Sequence, residues 1–294
     1  MKPVYQCLSC LVGQAVRVVE MSCEEKDREL LLKSFFARLS QTDLSRPAPD
    51  LVGNVFALLR EKTGCADPYH ETRRRYNDLM LSMLDALERA IDSADDPFEQ
   101  AVRYAILGNI IDFAPGTEPT EAEIVRRFAL DAGRAFAINR VGALAREIQK
   151  AKRILYLGDN CGEICLDKLL LKKIRARNPD AEMFFGVRGA PVLNDSIEED
   201  AYRVGIDAYA QVVSNGSGAA GTMLDSVSPA FRGVYDRADV IIAKGQGNYE
   251  SLGGRDENLY FLLMAKCGVI ARRIGVPAGS LICMDRRDAA REAV

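Results

Sequence analysis

The sequence changes character at RILYLGDNCGE, residues 153–163, where a short apolar run ends at Gly158 and a polar turn follows. The run has the length of a buried β-strand, and a helical pattern follows the turn. Further runs of strand length occupy 183–187, 210–213, 240–243, 259–264 and 280–284. Helical patterns separate most of them, over 163–177, 197–205, 228–237 and 266–274. This alternation predicts an α/β fold with a mainly parallel sheet covered by helices on both faces.

The first half of the chain has the pattern of helices. Apolar residues recur at helical spacing there, for example at Leu79, Met83 and Leu87. Thr120 and Glu123 form a capping-box pattern that predicts a helix through the 130s and 140s. We therefore predict an all-helical N-terminal domain over residues 1–148 and an α/β domain over residues 149–294.

Composition and charge exclude several classes of partner. The formal net charge is −3 and no long basic run is present, so we expect no nucleic acid as a partner. No apolar stretch approaches the ~20 residues of a transmembrane helix, so we expect no membrane partner. The first residues lack a signal-peptide pattern, and we expect a cytoplasmic protein. The sequence does not indicate an oligomeric state.

The residue types also limit the chemistry of any metal site. A single histidine, His70, excludes a zinc site built from several histidines. Any metal must therefore bind to carboxylates, amides or thiolates. Cys7 and Cys10 form a C-x-x-C pair without a second close pair. We favour packing or a structural role for this pair, with a redox pair or a partial metal site as alternatives.

Polar residues and glycines follow three predicted strands where each strand ends. The three motifs are DNCGE at 159–163, RGAPVLND at 188–195 and KGQGN at 244–248. Because ligands bind beyond the carboxyl ends of parallel strands, we expect the motifs to meet at one edge of the sheet. One such turn would be ordinary turn chemistry, but three on one edge indicate a site.

The residue types in these motifs suit phosphate chemistry. Oxygen atoms of Asp159, Asn160 and Asp195 are hard ligands, which Mg²⁺ and Mn²⁺ prefer. Lys244 can neutralise a phosphate oxygen, and the amides around Gly245–Gly247 can donate to phosphate. The sequence therefore predicts a divalent-metal site for cleaving a phosphate ester.

Together the motifs resemble the damage-control phosphatase family of metal-dependent phosphatases, which have an ARMT1-like fold. GNIIDF at 108–113, KCGVIARRIGV at 266–276 and CLSC at 7–10 extend the resemblance over most of the chain. The resemblance implies a helical N-terminal part followed by a Rossmann-like α/β part. It also implies hydrolysis of small phosphometabolites, either sugar phosphates or damaged phosphorylated intermediates, supported by Mg, Mn, Co or Ni ions.

The resemblance also implies roles for single residues. Asp159, Asn160 and Asp195 would hold the metal, and Lys244 would hold the phosphate. The remaining motif residues would line the site, with Glu163 among the catalytic ones: Glu163, Arg188, Asn194, Gly245, Gly247, Asn248, Asn109 and Asp112. Arg188 stands where lysine is more usual in the family, which leaves its contact geometry open. Asn109 and Asp112 are as well explained as helix-capping residues.

Two mechanisms and two other functions remain open at this stage. Asp195 or Glu163 could orient a water molecule that attacks the phosphoryl group. The rival route forms an aspartyl-phosphate on Asp159. It is disfavoured because haloacid-dehalogenase-type phosphatases carry an aspartate at the position of Cys161. The alternative function is a non-catalytic phosphometabolite- or nucleotide-binding protein, and a carboxyl methyltransferase is favoured less.

Overall fold

The computed structural model describes residues 1–108 and 120–290. Seven helices of the described chain precede the first strand. They are α1 (Tyr5–Ser22), α2 (Glu25–Ser40), α3 (Ala48–Thr63), α4 (His70–Ser82), α5 (Leu84–Asp92), α6 (Pro97–Leu107) and α7 (Glu121–Asp131). None of the described helices is both long enough and apolar enough to cross a membrane.

A seven-stranded sheet follows, with strand order β1-β7-β6-β5-β2-β3-β4. Among the strands that the structure describes, only β6 and β7 pair antiparallel. The strands are β1 (Phe136–Asn139), β2 (Arg153–Leu157), β3 (Glu182–Val187), β4 (Gln211–Ser214), β5 (Val240–Lys244), β6 (Leu259–Met264) and β7 (Leu281–Asp285). The helices among them are α8 (Val141–Lys150), α9 (Glu163–Arg177), α10 (Glu198–Val204), α11 (Pro229–Asp236), α12 (Gly245–Leu252), α13 (Gly268–Ile274) and α14 (Arg286–Ala290).

The interior strand β2, next to the middle strand β5, contacts two hydrophobic cores because successive side chains of a strand point to opposite faces. Ile154 and Tyr156 pack in a core with residues of α6, α8 and α9. Leu155 and Leu157 pack in a second core with residues of α11, α12 and α13. The predicted fold class is confirmed, and all six predicted strands are present.

The register of the central strands explains why the three motifs meet. Leu157 of β2 lies beside Gly186 of β3 on one side and beside Ala243 of β5 on the other. The residues that follow these positions therefore leave the sheet at the same edge. DNCGE, RGAPVLND and KGQGN all begin there.

The predicted helix through the 130s and 140s is not one helix, because the 140s are helical, in α8, and most of the 130s are not. The capping box of Thr120 and Glu123 does open α7, but α7 ends at Asp131. Strand β1 follows and pairs with β7, from Phe136 opposite Leu281 to Asn139 opposite Cys283. A four-residue edge strand has too little alternation to stand out from a helical pattern. Strand β1 lies in the sheet although it precedes residue 149, and where the two predicted domains divide stays a prediction.

A buried ion pair joins the N-terminal helix α4 to helix α10 of the α/β part. Arg73 of α4 is 1% exposed. Its guanidinium donates to Asp200 of α10 at 3.0 Å and to Asp67 at 2.7 Å. Asn77 donates to Asp200 at 3.1 Å and accepts from the backbone N–H of Gly162 at 2.7 Å. The α4 helix therefore supports the turn that contains DNCGE.

We predict that Arg73→Met lowers the free energy of unfolding by about 3–5 kcal/mol, because Asp200 would stay buried without its cation. Urea denaturation followed by circular dichroism measures the change. Arg74→Met removes the same charge from the exposed neighbour, and we expect less than about 0.5 kcal/mol there. Equal effects of the two substitutions would contradict the importance of the buried pair.

Candidate functional site

Backbone hydrogen bonds join the DNCGE turn to the end of RGAPVLND. The N–H of Cys161 donates to the oxygen of Asn194, and the N–H of Ser196 donates to the oxygen of Asp159, each at 2.8 Å. An isolated antiparallel bridge pairs Asn160 with Asp195. The structure thus brings the three predicted metal ligands together, and their role as ligands stays a prediction.

Two unusual backbone positions shape this junction. Leu193 has φ 48°, in the left-handed region that a branched side chain rarely adopts. It lies two residues before Asp195. Gly245 has φ 77°, and a Cβ atom there would lie 1.9 Å from Oδ2 of Asp159. Glycine at the start of α12 is therefore required for the carboxylate of Asp159 to take its place.

The predicted site residue Arg188 lies behind the two carboxylates. Its Nε donates to Asp195 at 2.6 Å, and its Nη2 donates to Asp159 at 3.3 Å. Its Nη1 donates to the amide oxygen of Asn248 at 3.2 Å. The forked guanidinium thus holds three side chains at once, which a lysine ammonium would do with less directional control.

Lys244 is fully buried at the end of β5. Its ammonium donates to Glu163, to Asp167 at 2.6 Å and to the backbone oxygen of Ala105 in α6 at 2.7 Å. These acceptors use the three N–H groups of the ammonium. The hydroxyl of Tyr156 donates to the same Asp167 oxygen at 2.6 Å. Lys244 thus holds two buried carboxylates in place, and its predicted contact with phosphate stays a prediction.

The buried charges around the junction do not balance. In the described chain, four buried carboxylates face two buried cations: Asp159, Glu163, Asp167 and Asp195 with Arg188 and Lys244. Burial, followed by repulsion from Asp195 and Glu163, raises the pKa of Asp159 to about 8. Burial also raises the pKa of Asp195, against the opposing charge of Arg188. With all groups ionised, two negative charges remain for a bound cation to neutralise.

The donor set for such a cation includes an amide. Within residues 1–108 and 120–290, no three His, Cys, Asp or Glu side chains form a group that could hold a metal ion. The predicted set of Asp159, Asp195 and Asn160 therefore depends on an amide oxygen as its third donor. Nδ2 of Asn160 lies 2.8 Å from Asp159 and 3.2 Å from Glu163, so the Asn160 side chain already sits among the carboxylates. Carboxylate and amide oxygens suit hard divalent ions.

A cavity of about 320 Å³ lies over this junction. Asp159, Asn160 and Asp195 line one wall of it. The N-terminal helices α1 and α3 also line the cavity, with apolar residues such as Leu11 and Val52. The volume is at the lower end of the range for small-molecule sites. The cavity therefore fits a small metabolite and lies between the helical part and the sheet.

Comparisons with known proteins identify the family of the chain. The model of the damage-control phosphatase ARMT1-like domain matches residues 4–282. The chain belongs to this family. It is 35% identical over 288 residues to a Pyrococcus horikoshii protein named damage-control phosphatase PH1575, covering 97% of this chain and 98% of that protein. It is 32% identical over 281 residues to an Archaeoglobus fulgidus protein named damage-control phosphatase, covering 94% and 96%.

A solved structure supports the fold of this family member. The crystal structure of a DUF89 family protein from Pyrococcus horikoshii aligns with a TM-score of 0.89 and 33% identity. The alignment covers 97% of this chain and 99% of that one. The family predicted from the three motifs is thus confirmed.

Three other predicted residues of this damage-control phosphatase family member lie at or behind the cavity wall. Gly247 lines the cavity, and a Cβ there would lie 2.1 Å from the oxygen of Ala220. The Asn248 side chain donates to the oxygens of Gly158 and Lys244, so it ties β2 to β5. Asn194 contributes a backbone acceptor. Asn109 and Asp112 lie outside the described residues.

The sequence reasoning missed the exposed cation of the cavity wall. Lys266 lines the cavity and is exposed. Its backbone N–H donates to the side chain of Gln246 at 2.6 Å. It follows β6 by two residues, so the strand-end rule applied to the other motifs would have found it. Gln246 and Glu250 of α12 line the same cavity. The sequence predicted a glycine-rich turn in place of α12, because glycine disfavours helices.

We predict that Lys244→Met and Lys266→Met have different effects on the free energy of unfolding. Lys244→Met leaves Glu163 and Asp167 buried without a cation and lowers the free energy of unfolding by about 3–5 kcal/mol. Lys266→Met removes an exposed charge and changes that free energy by less than about 0.5 kcal/mol. Urea denaturation of both variants measures the difference. A stable Lys244→Met variant would contradict the anchoring role.

Proposed function

We propose that this chain is a metal-dependent phosphomonoester hydrolase for small phosphometabolites, either sugar phosphates or damaged phosphorylated intermediates. The observation that carries the proposal is the meeting of Asp159, Asn160 and Asp195 in a buried acidic cluster that opens on a cavity. The names of the archaeal relatives support phosphatase activity.

Asp159, Asn160 and Asp195 would hold one divalent ion: Mg, Mn, Co or Ni. Within the described residues the cluster holds two more carboxylates than cations, a difference that matches the charge of such an ion. When bound, a divalent ion supplies Lewis-acid polarisation of the phosphate ester. Arg188 keeps the two carboxylates at a fixed separation through its contacts with both.

The substrate phosphate would lie between the acidic cluster and the exposed cation. Lys266 lines the cavity, and its ammonium would neutralise a phosphate oxygen. The first amides of α12, from Gly245 onwards, lie at a helix N-terminus and favour an anion. The backbone N–H groups of Cys161 and Gly162 already donate to Asn194 and Asn77. They would therefore not bind the phosphate.

Of the two candidates for orienting the attacking water, the geometry favours Asp195 over Glu163. Asp195 lines the cavity. Glu163 is fully buried and accepts from Lys244 and Asn160. Glu163 would then act as a positioning residue that fixes Asn160.

We predict that EDTA abolishes phosphate release from p-nitrophenyl phosphate and that added Mn²⁺ or Co²⁺ restores it. Asp195→Asn removes a negative oxygen ligand, and we expect a loss of at least about 100-fold in metal-supported kcat/KM. Asp180→Asn, on an exposed turn, is the matched control and keeps activity.

Two outcomes would contradict this proposal. Tight binding of phosphate esters without turnover, under every metal tested, would favour a binding protein. A phosphoryl group trapped covalently on Asp159 would replace water attack by the aspartyl-phosphate route. Mass spectrometry of the quenched enzyme separates the second outcome from the first.

The pH dependence of KM provides a further test. Burial raises the pKa of Glu250, on the cavity wall, to about 7. Glu250 is therefore neutral below pH 7 and negative above it, where it repels a phosphate dianion. We predict that KM rises between pH 6 and pH 8 and that Glu250→Gln flattens this rise. Titration of the substrate itself changes KM equally for wild type and for Glu250→Gln. The same dependence of KM on pH in the two proteins would therefore contradict the role of Glu250.

A further inference from the structure

Three thiols lie on the wall of the cavity, outside the acidic cluster. Cys7 and Cys10 come from α1, and Cys267 comes from the residue that caps α13. All three are free, with Cys10 exposed and the other two half-buried. Cys7 and Cys10 are therefore not core residues, and the packing or structural role favoured from sequence stays a prediction.

The helix places Cys7 and Cys10 within reach of each other. Residues three apart on a helix have Cβ atoms about 5–6 Å apart and lie on one face. A disulfide needs Cβ atoms about 3.5–4.5 Å apart, so the first turns of α1 must shift when the bond forms. The Sγ of Cys267 instead accepts from the N–H of Ile270 at 3.4 Å as a helix cap. Cys7 and Cys10 are thus the pair suited to a covalent bond.

We propose that Cys7 and Cys10 form an oxidation site that a hydroperoxide converts to a disulfide. The exposed Cys10 thiol attacks the peroxide O–O bond, which gives a sulfenic acid on Cys10 and releases an alcohol or water. The Cys7 sulfur then attacks the sulfenic sulfur, the S–S bond forms and water leaves. The thiols lose two electrons and two protons, which reduce the hydroperoxide.

The consequence for activity rests on the proposed phosphatase function. Leu11 and Gln14 follow Cys7 and Cys10 at helical spacing and line the same cavity. A bond between the two sulfurs changes the first turns of α1 and therefore the wall of the cavity that Asp159 and Asp195 also line. We expect a misfit between substrate and wall, so oxidation lowers kcat/KM.

Intact-mass measurement after treatment of the full chain with hydrogen peroxide tests the oxidation site. We expect wild type to lose two hydrogen atoms, with peptide mapping placing the bond between Cys7 and Cys10. Cys267→Ser and the control Cys65→Ser should form the same bond. Cys7→Ser should instead leave a sulfenic acid on Cys10 that dimedone traps. No disulfide, or one that joins Cys7 to Cys267, would overturn the proposal.

Hydrolysis of p-nitrophenyl phosphate tests the consequence. We expect oxidised wild type to have about tenfold lower kcat/KM than the reduced protein, because small shifts of a site wall misplace the substrate. Dithiothreitol should restore the reduced value, and the Cys7→Ser/Cys10→Ser variant should show equal values before and after peroxide. A disulfide without any change in kcat/KM would overturn the consequence. Absence of hydrolysis under all conditions would count against the phosphatase function, while the mass measurement still decides the oxidation site.

Discussion

The fully buried ammonium of Lys244 and its two carboxylate partners are the interaction on which the site depends. The ammonium joins β5, on which Lys244 lies, to α9 through Glu163 and Asp167 and to α6 through the oxygen of Ala105. An unpaired charge at this depth would be strongly unfavourable, so the three elements are held in one arrangement. Glu163 in turn accepts from Asn160. The position of a predicted metal ligand thus depends on charges in the core.

Arg188 has a similar role for the two aspartates of the predicted metal site, because it donates to Asp195 and Asp159 directly. The carboxylates nevertheless outnumber the buried cations of the described chain. Burying several carboxylates close together costs free energy, because each loses its hydration and repels the others. An excess of buried acid beside a cavity is instead typical of a functional site.

The N-terminal helices do more than cover the sheet. Helices α1, α2 and α3 share a core that also contains Val192 of the RGAPVLND motif. The guanidinium of Arg60 in α3 donates to the oxygen of Pro191 at 3.0 Å. The loop that carries Asp195 is therefore anchored in the helical part, although its strand belongs to the sheet. Because the loop is attached to both, the shape of the cavity depends on the helical part as well as on the sheet.

The sequence by itself determined the family, the fold class, six strands and the meeting of three motifs, because apolar periodicity and strand-end chemistry are local signals. It did not show the short strand β1 or the helix α12, because each has too few periodic residues or too many glycines. Only the tertiary structure decided that Lys244 is buried, that Lys266 is the exposed cation and that Cys7 and Cys10 face the cavity. Burial and pairing are set by residues more than 70 positions away in the chain, as with Lys244 and Glu163, and no local pattern encodes such contacts.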